Sequence, residues 1–475
     1  MEIKNILFIQ AISQSRYGEE DSQSLGLAYI ASFLRKYISK KYNMKIVSVD
    51  EDSLDIKDFK PDIVLMTTVT QNYENAKKIA KKIKEKSNIP IIIGGHHISA
   101  LPHTISDNMD IAVIGEGEET AKDLILTIEK YGLNPEELKK VDGIAFKIDG
   151  EIHKTSPRKK ISNLDEIPFP ARDLLDIPQR KTVMMMTSRG CPFKCPYCSS
   201  SHFWKTVSFF SADYVMREIK LIIEKYDPEI ISFYDDLFTM NLPRLQKIIE
   251  EIEKEGYNKK ISFSILARTS NFNDNICQLL KRINVKTVLF GFESACDKTL
   301  KYLKQGTTKV SDHENAMSLC KKYGFGVCGT FIIGSPDETE EDIKETYDFI
   351  KKHDFTQGST FVLAPYPGTS LWDYAKQKGL VDEFMDFDKL NVDFDKNYEQ
   401  TIIVADKVNK ENLYKWFIKF KKLWESKYVS QRSLANIINQ LGLKGMIEFA
   451  IKDPKKTVRA AFSFLGQKLK ISNKK

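Results

Sequence analysis

Three cysteines stand close together near the middle of the chain, at positions 191, 195 and 198, with the spacing C-x-x-x-C-x-x-C. Thiolates are the usual ligands of iron–sulfur clusters, and a cubane 4Fe-4S cluster has four irons to ligate. The motif supplies only three thiolates. We therefore expect Cys191, Cys195 and Cys198 to hold three irons and to leave the fourth open to an outside ligand. An open iron indicates a cluster that takes part in chemistry rather than one that only stores electrons.

A zinc site or a set of disulfide bonds could also account for these cysteines. A structural zinc site takes four ligands, and only His202 lies close to the motif. A disulfide framework is disfavoured because the remaining cysteines stand singly in a long chain without a secretory signal, at positions 277, 296, 320 and 328. The pattern favours an iron–sulfur cluster in a reducing compartment.

With its flanking residues, the motif reads Ser-Arg-Gly-Cys-Pro-Phe-Lys-Cys-Pro-Tyr-Cys over positions 188–198. In this form it resembles the cluster loop of the radical S-adenosylmethionine superfamily. The resemblance implies that the amino and carboxylate groups of S-adenosylmethionine occupy the open iron, and that its sulfonium is cleaved to a 5′-deoxyadenosyl radical. It also implies that Tyr197 lies near the adenine.

The first 130 residues alternate short apolar strands with stretches long enough for crossover helices. Strands are predicted at 5–10, 45–50, 62–69, 90–95 and 111–115. This alternation predicts an α/β fold with a doubly wound, Rossmann-like parallel sheet, in which ligands bind at the carboxyl ends of the strands. The candidate ligand-binding residues at those ends are Thr68, Gly94, Gly95, His96, Gly115, Glu116 and Gly117.

Together with the cysteine motif and the helix entry at 25–29, these loops resemble the cobalamin-binding domain of the cobalamin-dependent radical class. The loop at 11–24 departs from the wider cobalamin-binding fold, because it contains no D-x-H-x-x-G and no histidine. It offers no lower axial ligand, which should favour turnover through cob(I)alamin and cob(II)alamin. We expect His96 and His97 near the corrin or its nucleotide tail; the alternative is that both are loop residues without a role.

A hairpin at 143–155, turning at Asp149-Gly150, and a proline-rich connector follow the first sheet. Strand and helix alternation then resumes, with strands predicted at 182–188, 230–234, 261–266, 287–292, 326–333 and 359–363. Six such units predict a partial (β/α)6 barrel with its chemistry on the loops after the strands. The predicted divisions are a cobalamin-binding domain (1–140), the hairpin and connector (141–180), the barrel (181–380) and a basic helical C-terminal region (381–475).

Polar residues follow the strands of this predicted barrel. Asp235 and Asp236 come after its second strand, and Arg268 after its third. Glu293 follows the fourth strand, and Ile333 ends the fifth. The resemblance implies that the aspartates meet the methionine ammonium of S-adenosylmethionine and that Arg268 meets a carboxylate. It also implies that Glu293 contacts the ribose or amino group and that the backbone at Ile333 meets the adenine. The alternatives are a helix cap for the aspartates and a surface ion pair for Arg268 or Glu293.

The net charge of +7 conceals an asymmetry, because residues 405–475 hold 17 Lys and Arg against 5 Asp and Glu. The aromatic, lysine-rich stretch at 414–422 is expected to pack its apolar stripe on the barrel. The stretch at 455–475 is the better candidate for contact with lipid, and nucleic acid is not expected because no binding motif accompanies the charge. No segment reaches the roughly 18–20 apolar residues of a membrane-spanning helix. We expect a cytoplasmic protein with peripheral membrane association.

The resemblance implies a cobalamin-dependent radical S-adenosylmethionine enzyme, and a C-methyltransferase acting on an unactivated carbon is the first hypothesis. In the implied scheme, cobalamin takes a methyl group from one S-adenosylmethionine, and the 5′-deoxyadenosyl radical from a second removes a substrate hydrogen before methylcobalamin delivers the methyl. A radical cyclase of the anaerobic magnesium-protoporphyrin ester cyclase type is the second hypothesis, and a non-catalytic cobalamin-binding sensor is the third. The expected partners are a small-molecule substrate, lipid or otherwise hydrophobic, walled by the loop at 364–369, and a flavodoxin- or ferredoxin-type electron donor.

Overall fold

A computed structural model of the chain describes residues 1–12, 23–54, 58–175, 177, 182–394 and 398–431. Most of the first predicted loop (13–22) and the predicted lipid-contacting segment (455–475) lie outside the described residues. The described residues form two large sheets covered by helices. No helix in these ranges is long and apolar enough to cross a membrane.

The first sheet has seven strands in the order β2-β1-β3-β4-β5-β6-β7. Its strands are β1 (Asn5–Ala11), β2 (Asn43–Val49), β3 (Ile63–Thr67), β4 (Ile91–Gly94), β5 (Ile111–Val113), β6 (Ile144–Ile148) and β7 (Glu151–Lys154). The first five are parallel, which confirms the doubly wound prediction. From β1 the chain adds β2 on one side of the sheet and then β3, β4 and β5 on the other. In folds of this kind a ligand crevice opens at that switch point, between β1 and β3.

Helices cover both faces of this sheet and connect its strands. They are α1 (Leu25–Tyr37), α2 (Tyr73–Lys84), α3 (His96–Ala100), α4 (Glu118–Tyr131) and α5 (Pro135–Leu138). The final two strands form the predicted antiparallel hairpin. Asp149 and Gly150 occupy its turn with φ of 51° and 86°, as a two-residue hairpin turn with the right twist requires.

The second sheet has six parallel strands in the order β15-β14-β13-β12-β11-β8. They are β8 (Thr182–Met185), β11 (Ile230–Phe233), β12 (Ser262–Ala267), β13 (Val285–Glu293), β14 (Gly326–Ile333) and β15 (Gln357–Val362), and the short β9 (Ser188–Arg189) and β10 (Ser208–Phe209) form a separate antiparallel ribbon. The six strands confirm the predicted partial barrel. The prediction that the first barrel strand continues to position 188 is wrong, because the chain leaves the sheet after Met185 to form the ribbon.

The helices after β8 differ in what they bury: most bury apolar side chains in the barrel core, Ser370–Gln377 packs in the core of the first sheet, and Ser199–Trp204 has no buried residue. They are α6 (Ser199–Trp204), α7 (Ala212–Tyr226), α8 (Leu242–Lys254), α9 (Asp274–Arg282), α10 (Asp297–Leu303), α11 (Val310–Tyr323), α12 (Glu340–Lys352), α13 (Ser370–Gln377) and α14 (Lys410–Gln431). Burial alternates along β8, β11, β12 and β14, with every second residue fully buried toward the helices. The other residues of these strands are partly exposed on the concave inner face.

Both edge strands of the barrel are covered by distant parts of the chain. The Gln23 side chain donates to the Thr182 carbonyl and accepts from the Met184 amide, so it pairs with β8 as a short strand would. At the other edge, Trp424 of α14 lies directly over Gly358, and its indole N–H donates to Thr360 at 2.9 Å. Trp416, Phe417 and Phe420 are buried in the barrel's hydrophobic core, which confirms the prediction that the aromatic stretch at 414–422 packs on the barrel.

Candidate functional site

The three cysteines of the motif lie on one loop between β9 and α6. All three are free thiols; Cys195 is buried and the other two are half-buried. The loop closes with a hydrogen bond from the Cys198 amide to the Cys195 carbonyl at 3.1 Å. Gly190 opens it at a place where an added Cβ would lie 2.7 Å from the Thr206 carbonyl oxygen. Only glycine allows the chain to approach the ribbon this closely.

The donor set of this loop, three thiols, is one that a cubane cluster takes. Within the described ranges, no three His, Cys, Asp or Glu side chains converge as ligands of one ion. A cubane places each thiolate on a different iron and needs no such convergence. Burial raises the pKa of Cys191 to about 11 and also raises that of Cys198. Metal binding must therefore displace the thiol protons as the thiolates form.

Arg268, predicted to meet a carboxylate, contacts two residues of the cluster loop. Its guanidinium lies 3.8 Å from the centre of the Phe193 ring, and Nη1 lies 3.7 Å from the Cys195 sulfur. Its remaining donors reach Ser270, Thr308 and Thr307 at 3.2, 3.0 and 2.5 Å. These contacts support a role in which Arg268 fixes the loop and directs positive charge toward one thiolate.

The two predicted aspartates have different surroundings. Asp235 is fully buried and accepts three hydrogen bonds, from the Thr187 amide and hydroxyl at 2.5 Å each and from the Ser188 hydroxyl at 2.7 Å. These bonds bend the chain away from β8 toward the ribbon. Asp236 is exposed and accepts from Ser200 at 2.5 Å. Of the pair, Asp236 is the carboxylate accessible to a ligand beside the cluster loop.

Glu293 forms a buried network that includes two other residues. Its carboxylate pairs with Lys304 at 2.8 Å, and its charge acts on the nearby Tyr197 hydroxyl. Burial and the nearby Glu293 charge raise the pKa of Tyr197 well above its ordinary value. Glu293 has φ of 62°, which strains a non-glycine residue, and its Oε1 occupies the space where a Cβ on Gly291 would stand. The strand end therefore aims this carboxylate at the cluster loop.

Ile333 ends β14 with its side chain in the core, so only its backbone is available to a ligand. The loop after it is held by Glu338, whose Oε2 accepts from the Gly334 and Ser335 amides at 2.6 and 3.1 Å. Burial raises the pKa of Glu338 to about 8 despite these two donors. Neither Lys304 nor Glu338 was predicted from the sequence; for Glu338, its place four residues after the glycine that follows β14 is a usable signal.

The predicted loops of the first sheet lie side by side at its carboxyl edge. The Thr68 amide donates to the Gly94 carbonyl at 3.2 Å. Gly95 has φ of 109°, and a Cβ there would stand 2.3 Å from the Thr68 carbonyl oxygen. The Gly115 amide donates to Ser99, and no atom lies within 4 Å of a Cβ placed on Gly115. The loops after β3, β4 and β5 thus form one edge with space over Gly115.

The remaining predicted residues of this edge each contact a neighbouring side chain. Glu116 pairs with Arg189 of the ribbon at 2.8 Å, and a Cβ on Gly117 would press on Ile30. His96 lies beside Phe203, with 4.5 Å between ring centres, and burial lowers its pKa. His97 is completely buried and stacks on Tyr73 at 3.9 Å. Its surroundings are those of a core residue.

The carboxyl edges of the two sheets, which we call the two ligand edges, lie next to each other. Helix α3, which follows the Gly94-Gly95 loop, packs against α6, which follows the cluster loop. Gln71, after β3, donates to the Tyr366 hydroxyl at 2.6 Å. Tyr366 belongs to the loop after β15, which was predicted to wall the substrate cavity. The carboxyl ends of both sheets therefore face a shared region.

Two family models match the chain, the B12 binding domain over residues 17–125 and the Radical SAM superfamily over residues 185–350. The chain is 35% identical over 403 residues to an uncharacterized methyltransferase of Pyrococcus horikoshii, covering 80% of this chain and 85% of that one. It is 26% identical to the anaerobic magnesium-protoporphyrin IX monomethyl ester cyclase of Rubrivivax gelatinosus, covering 73% of this chain and 63% of that one.

Two solved structures share the fold. OxsB, a cobalamin-dependent S-adenosylmethionine radical enzyme solved with aqua-cobalamin and S-adenosylmethionine, matches with a TM-score of 0.67 at 17% identity, covering 95% of this chain and 75% of that one. The radical S-adenosylmethionine methyltransferase TsrM of Kitasatospora setae, solved with cobalamin and a 4Fe-4S cluster, matches with a TM-score of 0.66 at 15% identity, covering 80% of this chain and 76% of that one.

The chain belongs to the radical S-adenosylmethionine superfamily. Within it, the chain falls in the class of enzymes that carry a B12-binding domain. The cofactors are a 4Fe-4S cluster, S-adenosylmethionine and cobalamin.

Proposed function

We propose that this enzyme transfers a methyl group to an unactivated carbon of a small, largely apolar molecule. The observation that carries the proposal is the meeting of the two ligand edges, seen in the contacts of His96 with Phe203 and of Gln71 with Tyr366. A methyl carrier on one edge and a radical-generating centre on the other can act on one substrate only if they share a space. The relative at 35% identity is named a methyltransferase, which agrees with this function.

The chain's own residues would hold the cofactors as follows. Cys191, Cys195 and Cys198 would ligate the cluster, and Asp236 would pair with the ammonium of S-adenosylmethionine. Tyr197 and Glu293 would lie along its adenosine, and Ile333 would offer backbone to the adenine.

Cobalamin would rest on the edge built from Thr68, Gly94, Gly95, His96, Gly115, Glu116 and Gly117. When bound, the three groups supply a methyl carrier and a one-electron route to a carbon radical. An external electron donor of the flavodoxin or ferredoxin type would deliver the electron.

The inner face of the barrel supports a neutral substrate. Its partly exposed side chains are apolar or bear a hydroxyl or thiol, and none is charged; they include Met184, Ser232, Ser264, Leu266, Leu289, Cys328, Thr330, Ile332 and Phe361. Ser264 donates to Ser232 at 2.8 Å across two neighbouring strands, so part of this polar surface is already satisfied. Charged substrate groups would lose hydration along these strands without gaining a partner, because Arg268 and Glu293 lie at the strand ends and are already paired. A hydrophobic molecule, with a lipid as one example, fits the surface.

A second candidate function is that of a radical cyclase, and the 26% identity to the ester cyclase favours it. Its products differ from those of methyl transfer, because methylation forms S-adenosylhomocysteine as well as 5′-deoxyadenosine, whereas ring formation needs no methyl donor.

The test is to reconstitute the protein anaerobically with iron, sulfide and cobalamin, to add reductant and S-adenosylmethionine, and to quantify both products by mass spectrometry. We expect both, with 5′-deoxyadenosine absent from C195A and S-adenosylhomocysteine absent without cobalamin. Formation of 5′-deoxyadenosine alone would favour the cyclase, and formation of neither product would favour the sensor.

A further inference from the structure

A buried arginine stands two residues before the first cluster cysteine. Arg189 is only 5% exposed, and its guanidinium lies between the rings of Tyr29 and Trp204, 5.6 and 5.3 Å from their centres. Tyr29 belongs to α1 of the first sheet, whereas Trp204 ends α6 beside the cluster loop. The charged group is therefore enclosed by both halves of the molecule.

Two glutamates from the opposite ligand edge complete the enclosure. Nη1 of Arg189 donates to Glu116 at 2.8 Å, and Nη2 donates to Glu118. The second oxygen of Glu116 accepts from the Ile161 amide at 2.9 Å. Glu116 lies in the loop after β5, and Glu118 is the first residue of α4. The pairs thus tie the end of β5, at the proposed cobalamin edge, to the ribbon that leads into the cluster loop.

The charges in this group are unequal, with one guanidinium against two carboxylates. The N-terminus of α4 offers further stabilisation to Glu118, since the first turn of a helix favours negative charge. Buried ion pairs carry a large desolvation penalty and add little net stability, and in some proteins they serve to fix a particular geometry.

We infer that Arg189, Glu116 and Glu118 form a positioning clamp that holds the cobalamin edge at a fixed distance from the cluster loop. This inference rests on the proposed function, because the clamp matters only if both cofactors act on one substrate. The planar guanidinium reaches the two carboxylates with separate nitrogens, so it constrains orientation as well as distance. A shift of about 1 Å between reacting groups can reduce a rate by roughly 100-fold.

The test measures the distance between the two cofactors without turnover. Protein reconstituted with cobalamin and the cluster is reduced to a state in which cob(II)alamin and the cluster are both paramagnetic, and pulsed electron paramagnetic resonance gives their distance distribution. We expect a narrow distribution in the wild type. In E118Q we expect it to broaden or to shift by more than about 1 Å, with both cofactors still bound.

The adjacent residue Glu119 provides a matched control. It lies on the same helix turn but is 41% exposed on its side chain and faces Arg158 at 3.5 Å. E119Q should keep the wild-type distribution and the wild-type ratio of 5′-deoxyadenosine to S-adenosylhomocysteine. In E118Q we expect that ratio to change at least tenfold.

Further variants keep the test decisive if E118Q does not fold. E116Q removes one of the two ion pairs. R189K keeps the positive charge but loses the planar guanidinium that reaches both carboxylates. Both variants should broaden the distribution of distances between the cofactors. A structural role alone would lower the melting temperature without altering the distribution of the folded fraction. Unchanged distributions in cofactor-loaded E118Q, E116Q and R189K would overturn the clamp. If the wild type showed no cob(II)alamin signal, the proposed function itself would fail.

Discussion

Replacement of Gly95 by alanine is expected to damage the cobalamin edge selectively. The residue has φ of 109° and ψ of −177°, a region of backbone conformation that only glycine occupies readily. An alanine Cβ would lie 2.3 Å from the carbonyl oxygen of Thr68 and 3.1 Å from its amide nitrogen. Because these are backbone atoms, no side-chain rotation relieves the overlap. The loops after β3 and β4 must separate, and the hydrogen bond between Thr68 and Gly94 must lengthen.

The magnitude follows from the backbone strain. A non-glycine residue in this region costs about 1–3 kcal/mol, before the overlap with Thr68 is counted. Each 1.4 kcal/mol corresponds to a factor of ten in an equilibrium constant. If the loops relax by moving apart, the loss falls on the surface proposed to bind cobalamin, and the dissociation constant for cobalamin should rise by roughly 10- to 100-fold.

The assay is an absorbance titration of cluster-reconstituted protein with hydroxocobalamin, together with thermal unfolding followed by circular dichroism. Gly132 provides the control, because it also has positive φ, at 65°, but no atom lies within 4 Å of its added Cβ. It follows α4, about 21 Å along that helix from the ligand edge. G132A should lower the melting temperature and leave cobalamin affinity unchanged. Wild-type affinity in G95A would refute the assignment of this edge.

Three further variants test other parts of the structure. D236N removes the exposed carboxylate beside the cluster loop, so isothermal titration should show S-adenosylmethionine binding weakened by roughly tenfold or more while iron and sulfide contents stay unchanged; equal affinity would assign Asp236 a structural role. Glu338 has a pKa of about 8 in the folded protein, well above its value of 4.5 without burial, so the folded state retains a proton that the unfolded chain releases. Its contribution to stability is therefore full below pH 4.5 and falls between about pH 4.5 and 8, and E338Q should remove this decline from urea-unfolding curves; parallel pH profiles would contradict the reasoning. W424A removes the side chain that covers Gly358, and urea unfolding should show a loss of about 3–5 kcal/mol, whereas a loss below about 1 kcal/mol would mean that α14 contributes little to the barrel.

Local sequence signals predicted the elements of the fold. Short apolar runs ending in glycine or polar residues marked the central strands, because buried parallel strands need continuous apolar side chains. The role of the three cysteines as cluster ligands is a prediction that depends on their spacing. The first barrel strand was placed too long because residues 186–188 look like strand residues. Hydrogen bonds from Thr187 and Ser188 to Asp235, some 47 positions away, turn the chain instead.

The partners of the site residues could not be predicted in the same way. Glu116 reads as a free carboxylate at a sheet edge, but its partner Arg189 stands 73 positions later in the second half of the molecule. Lys304 looks like one of many surface lysines until the left-handed backbone of Glu293 brings the two together. The first pair depends on how the two sheets dock and the second on a positive φ at a strand end, and no local period or motif encodes either arrangement.

The central claim is that three cysteines hold a cluster whose open iron receives S-adenosylmethionine. The most direct measurement is the electron paramagnetic resonance spectrum of the reduced, reconstituted enzyme, recorded with and without S-adenosylmethionine. We expect a 4Fe-4S signal in the wild type that changes when S-adenosylmethionine is added, and no such signal in C195A. A cluster signal that S-adenosylmethionine leaves unchanged, or one that survives in C195A, would contradict it.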